Sequence, residues 1–311
     1  MSESYKTPDP HEQEKNEIKD RLVSEIFPLI KKGENEVLRA FLRRHPDVAT
    51  IYSNSRRTAL HMAVLHKNYP MMDFLLNFVP RTAKVSNGDL FIDCRDENGA
   101  SALMEAIKEN DLKAVQILLK HHPSFDVVEY ETKEKAIHLA AENGNVAILA
   151  EIFRAKHRLK KPLGINEAGG KAGLYLLHFA AKEGRLNMVK YLIRLGADVN
   201  KKSVQAGRTP IMFAAGNEHQ EVYNYLASLP QIDLTLCDKY GKNIAYFLDP
   251  KNLLEENKDN FDKVMDIISR NFNEEEADKS INEFFGTPDE CPVVVAAHQL
   301  SVQKENQKIN A

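Results

Sequence analysis

Residues Leu176–Asn200 read LLHFAAKEGRLNMVKYLIRLGADVN, and the place of His178 within this stretch decides the kind of protein. An imidazole just ahead of two alanines in an apolar helical opening could serve as a catalytic base or a metal ligand. It could equally be a structural part of a unit that recurs along the chain.

Recurrence settles the choice. Related stretches begin at Thr58 (TALHMAVLHKNYPMMDFLL), Ser101 (SALMEAIKENDLKAVQILL), Lys135 (KAIHLAAENGNVAILAEIF) and Thr209 (TPIMFAAGNEHQEVYNYL), with a degenerate NIAYFL from Asn243. Aligned on one apolar position, the anchors are Leu60, Leu103, Ile137, Leu177, Ile211 and Ala245, at separations of 43, 34, 40, 34 and 34 residues. A fixed period of this length marks a repeat architecture. The two longer intervals carry insertions of nine and six residues.

Each unit predicts two short antiparallel helices. In the quoted copy, Leu177, Ala180 and Ala181 form one apolar stripe, and Gly184 permits a tight turn through a left-handed backbone. Met188, Val189, Leu192 and Ile193 then recur at helical spacing, and Gly196 ends the second helix. The segment GADVN leads outward into a hairpin, and Thr209-Pro210 opens the next helix with proline at its first position. One such pair cannot bury its apolar face alone, so neighbours must stack.

These residues make the chain resemble the ankyrin-repeat family, whose T-P-L-H-x-A-A-x-x-G pattern is met best at Leu176–Gly184. Supporting matches lie at Thr58–Ala63, Ile137–Gly144 and Thr209–Ala215, with the hairpin signature at Asp96–Gly99 and Asp238–Gly241. The resemblance covers about residues 53–270 and departs from the pattern at Asn110 and Glu218, which replace the mid-repeat glycine, and at Pro250 in the last unit. It implies an all-α fold: an ankyrin-repeat solenoid of stacked helix pairs with hairpin loops, and helical caps at both ends. His61, His138 and His178 share one repeat position where the family uses histidine structurally, and Met104, Met212 and Tyr246 fill the same slot elsewhere. His178 therefore belongs to the scaffold, and no catalytic, cofactor or metal residue is expected.

The resemblance further implies a non-enzymatic adaptor that binds another protein through hairpin tips and the inner face of each first helix. The family's binding positions fall here on Arg57, His66, Glu97, Asn98, Glu109, Glu142, Lys171, Lys182, Arg208, Asn217 and Tyr240. Arginine and aromatic side chains are the usual energetic anchors, which singles out Arg57, Arg208 and Tyr240.

The remaining organisation follows from composition. Residues 1–15 are polar and expected to be disordered, and residues 16–52 carry Leu22, Ile26, Leu29, Ile30, Val37, Leu38, Phe41 and Leu42 as an N-terminal helical cap. Lys31, Lys32, Arg39, Arg43 and Arg44 are expected on the outer side of that cap. The insertions near 79–90 and 154–173 read as solvated connectors or, for the basic second one, an anion site. GGKAG at Gly169–Gly173 lacks the first glycine and the hydroxyl of a phosphate loop and falls where a hairpin belongs. Residues 271–311 predict a capping helix and a flexible tail, and Cys291 with His298 lacks the surrounding chain for a thiol protease.

With 42 basic and 45 acidic residues the net charge is −3, which gives no overall drive toward nucleic acid or membranes. Three scattered cysteines suggest neither disulfides nor zinc, and the N-terminal stretch has no apolar leader, so a cytoplasmic protein is expected. A second reading is a bacterial effector exported by a type IV system, acting in a host cytosol. It is motivated by an asparagine- and lysine-rich composition, the absence of tryptophan, the EEE block at Glu274–Glu276 and Ile309.

Overall fold

The computed structural model describes residues 24–248. They form two compact units: residues 24–140 with 147–163, and residues 141–146 with 164–248.

In the first unit, α1 (24–32) and α2 (Asn35–Arg44) precede the pairs α3 (Ala59–Leu65) with α4 (Tyr69–Phe78) and α5 (Ala102–Lys108) with α6 (Leu112–Leu119). The α7 (Ala136–Asn143) and α8 (Val146–Arg158) pair follows, except that its residues 141–146 count with the second unit. First helices pack side by side, α3 on α5, and so do second helices, α2 on α4 and α4 on α6. The second unit repeats the plan with α9 (Leu176–Lys182), α10 (Leu186–Arg194), α11 (Pro210–Gly216), α12 (Gln220–Ala227) and the single turn α13 (Ile244–Phe247). There α9 packs on α11, α11 on α13 and α10 on α12. This is the all-α ankyrin-repeat architecture.

The core follows the period. Ala63, Ala106, Ala140, Ala180 and Ala214 stand three residues after successive anchors and are fully buried, so each first helix lies close to its second. From the second helices, Met71, Met72 and Leu75 are matched by Ala114, Val115 and Leu118, then by Ile148, Leu149 and Ile152. In the second unit the same places hold Met188, Val189 and Leu192, then Val222, Tyr223 and Leu226, and all of these side chains are buried. Burying groups of this size is worth roughly 1.5–3 kcal/mol each before the cost of ordering the chain.

The helix–helix turn takes the same backbone in every unit. Lys67, Asn110, Gly144, Gly184 and Glu218 all adopt positive φ, between 53° and 78°, although only two are glycine. The hairpins behave alike, with Arg56, Gly99, Lys133, Gly173, Gly207 and Gly241 left-handed at one shared position. Isolated bridges Tyr52↔Thr58, Arg95↔Ser101, Val128↔Lys135 and Gly169↔Leu174 close the hairpins. The last of these puts GGKAG in a hairpin, as its spacing requires.

The N-terminal cap is a helical pair over its described part, with Ile26, Ile30, Leu38 and Leu42 buried. Two of its residues depart from expectation. Val37 is 56% exposed, because α2 turns only its Leu38–Leu42 side toward α4. Arg39 does not stand outward. Its guanidinium lies over Phe74, donates to the Pro70 carbonyl at 3.2 Å and pairs with Glu36 at 2.9 Å.

The first insertion folds into its own small hairpin, Lys84↔Leu90, tied down by a two-pronged contact of Arg95 with Asp89 at 3.0 and 3.1 Å. The second lengthens α8 to 13 residues, and its Lys161 lies 4.0 Å from Asp126 and over the Phe125 ring. Residues 1–23 and 249–311 lie outside the described residues. With them fall the expectations of a disordered N-terminus and of a C-terminal capping helix and tail, together with Pro250, the Cys291–His298 pair and the EEE block.

Candidate protein-binding face

The three histidines are parts of the frame. At the start of α3, the backbone N–H of Thr58 donates to Nδ1 of His61 at 3.3 Å, and the Thr58 hydroxyl lies 3.0 Å from the same nitrogen. In α7 and α9 the amides of Lys135 and Tyr175 donate to Nδ1 of His138 and His178 at 3.1 and 3.2 Å. With Nδ1 accepting, the proton sits on Nε2, and that nitrogen donates onward. His61 reaches the Ala100 carbonyl at 3.4 Å and His178 the Arg208 carbonyl at 2.9 Å, each in the following repeat. Burial holds the pKa of both His61 and His178 down to about 4, so they are neutral at physiological pH. Where methionine replaces histidine, Sδ of Met212 takes the amide of Thr209 at 3.5 Å.

Hairpins are stapled from below. Oδ1 of Asp96 accepts from the amides of Asn98 and Ala100, both at 2.9 Å, and Oδ1 of Asp238 from those of Tyr240 and Lys242 at 2.8 and 3.0 Å. Successive hairpins are then bonded to one another. In the first unit Glu97 donates its amide to the Ser55 carbonyl at 3.0 Å, and Tyr130 to that of Asn98 at 2.9 Å. In the second, Val204 donates to Gly173 at 3.0 Å, Gln205 to Ala172 at 3.2 Å and Lys239 to Ala206 at 2.9 Å. The tips thus form one fixed row in each unit.

The residues singled out by sequence fall into two groups. His66, Glu97, Asn98, Glu109, Lys171, Asn217 and Tyr240 are exposed, while Glu142 and Lys182 are half-buried. Lys182 pairs with its neighbour Glu183 at 2.8 Å. Arg57 and Arg208 are also half-buried, at 30% and 34% side-chain exposure, and do the same structural work in their two units. The Arg57 guanidinium lies 3.8 Å from Asp96 and 3.6 Å from Glu105. Arg208 lies 3.3 Å from Asp238, with its guanidinium 4.9 Å from the centre of the Phe247 ring. Each arginine braces the hairpin of the next repeat. Burial raises the Glu105 carboxyl pKa, and Arg57 opposes that rise.

Sequence reasoning passed over two groups on this face. Val204 is 56% exposed on top of Gly173, and Tyr130 stands beside Arg95. A large aliphatic at a hairpin tip was the available signal for the first. The second depends on a pairing between repeats that spacing alone does not show.

Family comparison agrees with this geometry. A model of ankyrin repeats in three copies matches residues 78–161 and 137–238, and a single ankyrin-repeat model matches residues 55–82, together more than half of the chain. The chain belongs to the ankyrin-repeat family. It is 30% identical over 160 residues to the ankyrin repeat protein nuc-2 of Neurospora crassa, a match covering 51% of this chain but 13% of that protein. It spans well under two thirds of the curated relatives it matches. Among solved structures, the human ASB11 ankyrin repeat domain superposes with a TM-score of 0.57 at 20% identity, covering 74% of this chain and 94% of that one. The ankyrin repeat domain of Bcl-3 gives 0.57 at 18%, covering 73% and 94%. At these identities the structures share the fold. Ankyrin repeats are protein-interaction modules, and no helix among the described residues is long and apolar enough to cross a membrane.

Proposed function

We propose that the chain is a non-enzymatic adaptor that holds a partner protein against its hairpin tips and the adjoining first-helix surfaces. The observation carrying this reading is the cross-bonded row of tips. A row already fixed on folding offers polar and aromatic side chains at little further ordering cost on binding. The imidazoles that invite a catalytic reading, His61, His138 and His178, are spent on the frame.

The test is photo-crosslinking in the native cell, with a benzophenone residue placed singly at Asn98, Tyr240, Asn77 or Asn187. The first two positions are tips, and the last two lie on the second helices α4 and α10. Adducts from Asn98 or Tyr240, with none from Asn77 and Asn187, are expected. Adducts confined to the second-helix positions would remove this face from consideration.

A further inference from the structure

The tip row of the second unit differs in chemistry from that of the first, and the difference defines a partner. Its hairpin segments 169–173, 202–207 and 238–242 carry Lys171, Lys202, Lys239 and Lys242. Their one carboxylate, Asp238, is buried, braced by Arg208 and bonded to two backbone amides. The lysine charge is therefore not cancelled within these segments. Lys239 is held along the row by its bond to the Val204 carbonyl at 2.7 Å, which fixes its stem without hiding its charge. Among the lysines stand Val204 at 56% exposure and Tyr240 at 70%. The tips of the first unit instead mix signs, with Glu97 and Glu131 alongside Arg56 and Lys133.

We infer that the second unit's tip row binds an acidic, extended peptide segment of the partner protein. Carboxylates meet the lysines, and an apolar side chain covers Val204 and Tyr240. Opposite charge steers the encounter and fixes which segment docks, while the aliphatic–aromatic pair supplies area removed from water. Nucleic acid fits less well. A phosphate backbone has no use for an exposed valine, and the face's arginine, Arg208, is engaged by Asp238 and Phe247 rather than turned outward. This inference rests on the tip-face reading above and narrows it to one unit and one partner chemistry.

Fluorescence anisotropy on the full chain tests it. The probes are a labelled peptide of alternating glutamate and leucine, its twin with lysine for glutamate, and single-stranded oligothymidylate. The glutamate peptide should bind and the lysine twin should not. Combining Lys171→Glu, Lys202→Glu and Lys239→Glu should weaken the glutamate peptide about tenfold or more. Val204→Ser with Tyr240→Ser should weaken it several-fold at unchanged net charge. Circular dichroism verifies that these surface variants keep their helices.

Undiminished binding by the charge-reversed chain would overturn the inference. So would oligothymidylate binding as tightly as the peptide and indifferent to the Val204 and Tyr240 changes. A dimer in sedimentation that the reversal dissolves, with no peptide bound, would reassign the row to self-association. Tip crosslinks without glutamate-peptide binding would leave the face standing and sink only the partner chemistry, whereas missing tip crosslinks would sink both.

Discussion

The imidazole of His178 accepts a hydrogen bond from the Tyr175 amide and donates one to the Arg208 carbonyl of the next repeat, and it can do both only while neutral. That requirement sets a pH dependence. The folded pKa of about 4 lies below the ordinary value of 6.5, so between those limits the unfolded chain binds more protons than the folded one. The contribution is complete above pH 6.5 and is lost as pH falls toward 4, at about 1.4 kcal/mol per pH unit for each such histidine. His61 behaves in the same way. Urea unfolding between pH 7 and 5 should show this loss, and His178→Met should flatten the profile, because Met212 shows that sulfur fits the slot. An unchanged slope would contradict the assignment. The converse change, Met212→His, should give the Thr209 amide a nitrogen acceptor in place of sulfur and raise stability by about 0.5–1.5 kcal/mol in the same measurement. The structural role of the histidines was legible in the sequence because they share a repeat position. The bracing role of Arg57 and Arg208 was not, since it depends on a carboxylate 39 residues onward in one case and 30 in the other.

Among the elements, the turns and hairpins hold most of the left-handed residues. Each repeat demands a left-handed residue at two positions whatever the side chain, so glycine marks some turns but not others. This is why the helix–turn pattern at Lys67, Asn110 and Glu218 was harder to read than at Gly144 and Gly184. Glu218→Gly should relieve a left-handed penalty of about 1–2 kcal/mol against an entropic cost of about 0.5–1, leaving a small net gain. Gly99→Ala should do the opposite and more. Its φ is +84°, and a Cβ there would stand 2.7 Å from the Tyr130 backbone nitrogen, which cannot move without breaking its bond to the Asn98 carbonyl. A loss of about 2 kcal/mol or more is expected in urea midpoints, and a neutral Gly99→Ala would show that the hairpins are not held together. Helix positions were legible because apolar residues recur at helical spacing. The content of the insertions was not, because the Lys84↔Leu90 hairpin and the lengthened α8 answer to local pairing rather than to the period.

For the molecule as a whole, a net charge of −3 conceals a division of labour. The tip residues are of mixed sign in the first unit and lysine-rich in the second, a contrast that an overall charge balance averages away. The polar contacts that join repeats are also spread along the chain. Asn68 donates to the Ile30 carbonyl at 3.1 Å, Arg185 to that of Glu142 at 3.0 Å and His219 to that of Lys182 at 2.7 Å. In each case the residue opening a second helix reaches the end of the preceding repeat's first helix. The amides of Glu97, Tyr130, Val204, Gln205 and Lys239 lie in loops, where exchange with deuterated solvent is ordinarily fast. Each is committed to a carbonyl of the adjacent loop, so mass spectrometry should find them retaining hydrogen on the timescale of the helices around them. A ligand arriving there would meet surfaces already quiet, and calorimetry should record an association with little entropy left to lose.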